Sequence, residues 1–190
     1  LLLGRHFQAE EQFAEALVFL KRAIELGMQS EIAFENLGSL YVRCGLYEDA
    51  IPVLERLLAS YPRSTEAMST LAIAYYEIGR KDEAVGLLRK SIAIEPRMVK
   101  AYGNLGALLY REERFAEAEE PVRTALTLCP RFPRMYYLMV YILNALGRRD
   151  EAVAYQEQLR TMDPALYAQC ADPRTAQRQT FVVSKGESRP

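Results

Sequence analysis

The sequence predicts an all-α fold of antiparallel helix pairs, and three periodicities predict it. Alanine recurs at Ala16, Ala50, Ala84, Ala118 and Ala152, always 34 residues apart. Proline keeps the same interval at Pro62, Pro96, Pro130 and Pro164. So do the pairs Leu3-Gly4, Leu37-Gly38, Leu71-Ala72 and Leu105-Gly106. Self-similarity at such a period marks a helical repeat array, in which each unit buries its apolar face only against its neighbours.

Residues 1–30 hold the end of a first helix (Leu3-Gly4, Phe7) and a full second one (Phe13, Ala16, Leu20, Ala23). Residues 31–64 show the complete unit. Phe34, Leu37, Gly38 and Tyr41 fall at helical spacing and make one apolar face. Gly45 ends that helix, as glycine does just past a helix C-terminus. Tyr47, Ala50, Leu54 and Leu57 mark the second amphipathic helix, and Pro62 stops it because proline restricts the residue before it. A short link forces the two helices to pack antiparallel. Gly38 and Ala50 are small where the axes approach, and a leucine there would cost ~1–3 kcal/mol of overpacking.

Residues 65–98 repeat the pattern with Met68, Leu71-Ala72, Tyr75, Gly79, Ala84, Leu88, Ser91 and Pro96. Residues 99–132 give Tyr102, Leu105-Gly106, Ala118, Ala125 and Pro130, and residues 133–164 give Tyr136, Gly147, Ala152, Leu159 and Pro164. Some positions depart from the pattern. Met139-Val140 replaces leucine and a small residue, which predicts a wider fifth pair. Pro52 and Pro121 fall near the second turn of their helices, where a missing N–H predicts a late or kinked start. Gln156 replaces an apolar residue, as suits an outer face meeting water near the end of an array.

Residues 165–190 leave the pattern. Pro173 limits a further helix to a short one over Ala165–Ala171, Thr180–Val183 is β-prone, and Lys185–Pro190 reads as disordered. Val153, Leu159 and Met162 then lack an evident cover, which gives the extension a capping role or makes this end a place for self-association.

Taken together these residues resemble the tetratricopeptide repeat (TPR), with five repeats in register over residues 1–164, the first incomplete. The resemblance implies a right-handed superhelical solenoid whose first helices line a concave groove for extended or helical peptides. It implies non-enzymatic protein–protein interaction, as an adaptor or assembly scaffold. Two alternatives stand beside it: the recognition arm of a larger enzyme such as a glycosyltransferase, and a self-assembling scaffold.

Register then picks out the groove residues. The candidate set is Asn36, Tyr76, Lys100, Gly103, Asn104, Tyr110, Arg111, Arg134, Tyr137 and Tyr141. Tyr76, Tyr110, Tyr137 and Tyr141 offer large apolar bodies with polar tips, the chemistry of peptide surfaces. Gly103 leaves room for a pocket among them, and Lys100, Arg111 and Arg134 would steer an acidic segment with an apolar anchor. A ladder of asparagines for a peptide backbone is represented by Asn36 and Asn104 but interrupted at Thr70 and Leu138.

The bulk numbers narrow the partners. Half of the residues are apolar and the net charge is −1, which gives no general pull toward nucleic acid. No apolar run approaches the ~18 residues of a membrane span. Residues 1–95 hold 10 basic and 14 acidic residues, and residues 96–190 hold 14 and 11, so the second half is mildly basic. His6 is the only histidine, which leaves no catalytic pair or histidine-rich metal site, and no cofactor is expected. Cys44, Cys129 and Cys170 are odd in number and widely spaced, as reduced cytoplasmic thiols are. Glu112-Glu113 and Glu119-Glu120 read as solvated helix faces. The chain opens at Leu1 in mid-helix by the repeat register and reads as part of something longer.

Overall fold

The structure, a computed structural model, describes residues 2–26 and 30–170, except the side chains of 2–12 and 14. The readings made for His6, Phe7, Pro173 and Thr180–Val183 lie outside the described side chains and residues. All regular structure among the described residues is helical: α1 (Leu2–Glu25), α2 (Glu31–Arg43), α3 (Tyr47–Ser60), α4 (Thr65–Glu77), α5 (Lys81–Ile94), α6 (Val99–Arg111), α7 (Phe115–Leu128), α8 (Pro133–Ala145), α9 (Arg149–Met162) and α10 (Pro164–Cys170).

The helix boundaries keep the beat of the sequence. First helices α2, α4, α6 and α8 each have 13 residues, and second helices α3, α5, α7 and α9 each have 14. Residues 2–25 differ from expectation. They form one 24-residue helix rather than the end of one helix and the whole of another. The segment between Phe7 and Phe13 has neither glycine nor proline, and reads Gln-Ala-Glu-Glu-Gln, which helices favour.

Each first helix ends in the same hydrogen-bonded turn. In α4, the N–H of Gly79 bonds the carbonyl of Tyr76 at 3.0 Å and the N–H of Arg80 bonds that of Tyr75 at 2.8 Å. The equivalent outer bonds are Leu46 to Tyr41, Arg114 to Leu109 and Arg148 to Leu143. This is the Schellman motif, which places its penultimate residue in the left-handed region. Gly45, Gly79 and Gly147 sit there at φ 73°, 90° and 76°, and Glu113 takes the place of the fourth glycine at φ 58°. Glu113 therefore occupies a turn, not a helix face. Second helices stop where the prolines predict: Tyr61, Cys129 and Asp163, each before a proline, leave the helical region at ψ 74°, 86° and 87°.

Two compact units divide the chain, Leu1–Ile94 and Glu95–Pro190. In the first unit α2 packs on α3, α3 on α4 and α4 on α5, with α1 against α2. Phe34, Leu37 and Tyr41 are buried with Leu54 and Leu57, and Met68, Leu71 and Ala72 continue the buried layer with Ala84 and Leu88. A side-chain carbon on Gly38 would collide with Leu54, which is why this position is small. Ser30 caps α2 by accepting the N–H of Ala33 at 3.1 Å.

In the second unit α6 packs on α7, α7 on α8 and α8 on α9. A side-chain carbon on Gly106 would collide with Val122, and Ala118, Ala125 and Ala152 are fully or almost fully buried. Met139 and Val140 are buried as well. Pro52 and Pro121 do not delay their helices, since α3 and α7 begin at the same register position as α5 and α9. The short α10 covers the last pair by packing on α8 and α9. Leu159, expected to lack a cover, is 0% exposed, while Val153 stays 53% exposed.

Candidate protein-interaction face

The groove residues named from the sequence all lie on first helices. In the first unit, Asn36 is exposed on α2, and Tyr76 is buried on α4 with the Lys81 ammonium 5.8 Å from its ring centroid. Beside it, the Tyr75 hydroxyl donates to Glu55 Oε1 at 2.6 Å, and the Arg80 guanidinium lies 3.7 Å from the Tyr75 ring centroid. Burial, and then the bond to Glu55, push the Tyr75 phenol up.

In the second unit, α6 carries Lys100, Gly103, Asn104, Tyr110 and Arg111, and α8 carries Arg134, Tyr137 and Tyr141. Tyr110 and Tyr141 meet edge to face with ring centroids 6.4 Å apart. Tyr141 then meets Tyr137 at 4.8 Å, and their hydroxyls share a hydrogen bond of 3.1 Å. Phe115, at the start of α7, extends this run by packing on Tyr110 at 5.5 Å. Edge-to-face rings favour one another beyond their area burial, so the three tyrosines brace one another in an aromatic strip. Tyr110 and Tyr141 are partly exposed. Burial, and then the neighbouring Tyr141, push the Tyr110 phenol up.

Burial corrects part of the expected site. Tyr137 is 1% exposed and ranks among the largest fully buried side chains, so it is a core residue and not a surface anchor. Lys100 and Asn104 are 7% and 1% exposed, and Gly103 is buried. In the basic set, Arg134 is exposed and Arg111 partly so. In the second unit the accessible part of the expected site is thus narrower than the sequence implied: Tyr110, Tyr141, Arg111 and Arg134.

Sequence reasoning missed a second periodic feature. Arg80 pairs with Glu83 at 2.6 Å, Arg114 with Glu117 at 2.6 Å and Arg148 with Glu151 at 2.5 Å. In each case two guanidinium nitrogens reach the two oxygens of one carboxylate. The carboxylates lie in the first turn of a second helix, where the helix dipole also favours them. The arginine holds Glu83 and Glu151 below the usual carboxylate range. The 34-residue spacing of these three arginines was legible in the sequence.

Glu119 also differs from its reading as a solvated face. It accepts from Arg123 at 2.5 Å within α7 and from Arg148, the N-cap residue of α9, at 2.6 Å, with a side chain 17% exposed. Burial alone would raise its carboxyl, but the two arginine hydrogen bonds outweigh it and hold the group low. Among the described residues no cluster of three or more His, Cys, Asp or Glu side chains could hold a metal ion, and no helix is long and apolar enough to cross a membrane. The three cysteines are free thiols, and burial pushes Cys170 up to about 11.

Repeated pairs of equal length, closed by one turn motif and carrying an aromatic strip on first helices, define an all-α helical repeat of the solenoid class. Tetratricopeptide-repeat models match residues 1–64, 35–98, 70–133 and 133–166, and the chain belongs to that family. It is a protein-interaction scaffold. Among solved structures it is similar to MamA, at 25% identity and TM-score 0.70 over 83% of this chain and 92% of that one. A second MamA structure gives 25% identity and TM-score 0.67 over 85% and 88%. A thermophilic TPR protein of Thermus thermophilus shares the fold at 23% identity, with TM-score 0.74 over 90% and 95%. No curated protein matches the sequence significantly.

Proposed function

We propose that this scaffold binds an extended or helical peptide segment on the face carried by α6 and α8, and that the segment pairs an acidic group with an apolar anchor. The observation that carries this reading is the aromatic strip. Tyr110 and Tyr141 present partly exposed rings that Phe115 and the buried Tyr137 hold in place. Rigid tyrosines supply contact area at little entropic cost, which suits a binding surface. Arg134 at the start of α8 and Arg111 at the end of α6 bracket the strip with positive charge and favour an acidic neighbour in the ligand.

In such an adaptor the chain's own side chains position a partner and change no bond in it. The experiment is selection of displayed random peptides on the full chain. Enriched peptides should share an acidic residue near an aromatic or large aliphatic one. Selection of basic or purely polar sequences would contradict the reading.

A further inference from the structure

The Arg–Glu clamp is absent from the α2–α3 pair, and a pocket lies where it would stand. Leu46 holds the position that Arg80, Arg114 and Arg148 hold in later repeats, and Asp49 holds that of Glu83, Glu117 and Glu151. The N-cap residue Leu46 supplies no side-chain hydrogen bond to α3. Glu48 and Asp49, both in the first turn of α3, make no ion pair among the described residues. Lys21 of α1 feels the charge of Asp49, but its stronger interactions are with Tyr41, whose ring centroid lies 5.7 Å away.

Around these carboxylates lies a cavity of about 400 Å³, lined by Gly45, Leu46, Tyr47, Glu48, Asp49, Glu77 and Ile78. That volume is within the ~300–1,000 Å³ of ligand sites. Leu46 and Ile78 are 42% and 38% exposed, so the pocket has apolar walls beside its acidic rim.

We propose that this pocket binds an arginine side chain with an aliphatic neighbour, presented by a partner protein. The three later repeats specify the ligand. At the same register position, three carboxylates each receive a bidentate guanidinium from within the chain. Here leucine removes the internal guanidinium, keeps the first-turn carboxylate, and adds an apolar surface that suits the aliphatic part of the ligand. A planar fork matches a carboxylate in a way that an ammonium does not, which favours arginine over lysine. The inference stands apart from the face of α6 and α8.

The test is methyl NMR of the full chain, labelled at Leu and Ile, titrated with the peptide N-acetyl-leucyl-arginyl-leucine amide. Saturable shifts at Leu46 and Ile78 are expected. The same peptide with citrulline in place of arginine should bind about threefold more weakly or worse, as should the arginine peptide to Asp49→Asn. Leu46→Arg restores the series from within and should abolish the shifts while keeping the native spectrum elsewhere. Equal binding of both peptides, or unchanged binding by Leu46→Arg, would overturn the proposal. So would a site already filled without peptide: release by Arg174→Gln with Arg178→Gln would assign it to the chain's own C-terminal segment, and dependence on protein concentration to a second copy.

Discussion

Glu113 and Gly147, 34 residues apart, hold the same left-handed backbone conformation in the turns of successive helix pairs, at φ 58° and φ 76°. The left-handed region costs an ordinary residue ~1–2 kcal/mol, and glycine escapes that cost but gains freedom in the unfolded chain. Glu113→Gly should therefore stabilise the protein by about 0.5–1 kcal/mol. Glu113→Val should destabilise it, because a β-branched side chain fits that conformation worst. Urea midpoints of the three proteins check both signs.

The repeat alanines give a second prediction. Ala84 is 0% exposed on α5, while Ala93, on the same helix, is exposed. Ala84→Leu should cost about 1–3 kcal/mol from overpacking, and Ala93→Leu should change stability by less than about 0.5 kcal/mol. Equal thermal midpoints for the two variants would remove Ala84 from the tight crossing.

The pair of Glu119 and Arg148, joining α7 to α9, predicts a dependence on pH. The carboxyl is held low in the folded protein, so its contribution is present above its unfolded value of about 4.3 and is lost as pH falls through the folded one. Glu119→Gln should be less stable than wild type by about 0.5–1 kcal/mol at neutral pH, with the gap closing below about pH 4. A double-mutant cycle with Arg148→Gln should return a coupling of similar size. A gap that does not vary with pH would mean that the pair contributes nothing as an ion pair.

Tyr137 gives the fourth prediction. Its full burial places it in the core of the second unit, so Tyr137→Ala should cost about 3–5 kcal/mol, as loss of a buried ring does. Tyr137→Phe keeps the ring, loses only the hydrogen bond to Tyr141, and should cost about 0.5–1.5 kcal/mol. Calorimetric melting of both variants separates the packing of the ring from its hydroxyl.

The fold was legible because its determinants are local and repeated. Alanine, glycine and proline each impose a steric requirement at one register position, and the same requirement returns every 34 residues. What was less legible depends on depth and on partners. Tyr137 and Tyr141 share a helix and a residue type, yet packing buries the first and leaves the second partly open. Glu119 read as solvent-facing because its partner Arg148 lies 29 residues away, in the turn before α9. Glu113 hides a glycine position because the turn's hydrogen bonds, and not its side chain, set the backbone there.

Binding at Tyr141 tests the central claim most directly. Peptides selected on the full chain, measured by fluorescence anisotropy, should lose ~1–3 kcal/mol of affinity with Tyr141→Ala and with Tyr110→Ala. Arg134→Glu should chiefly slow their association, with an effect that fades in high salt, because exposed charges act through screened attraction. The control is Glu15→Arg, exposed on α1. Undiminished affinity in both tyrosine variants, or an equal loss in the control, would contradict a peptide site on the face of α6 and α8.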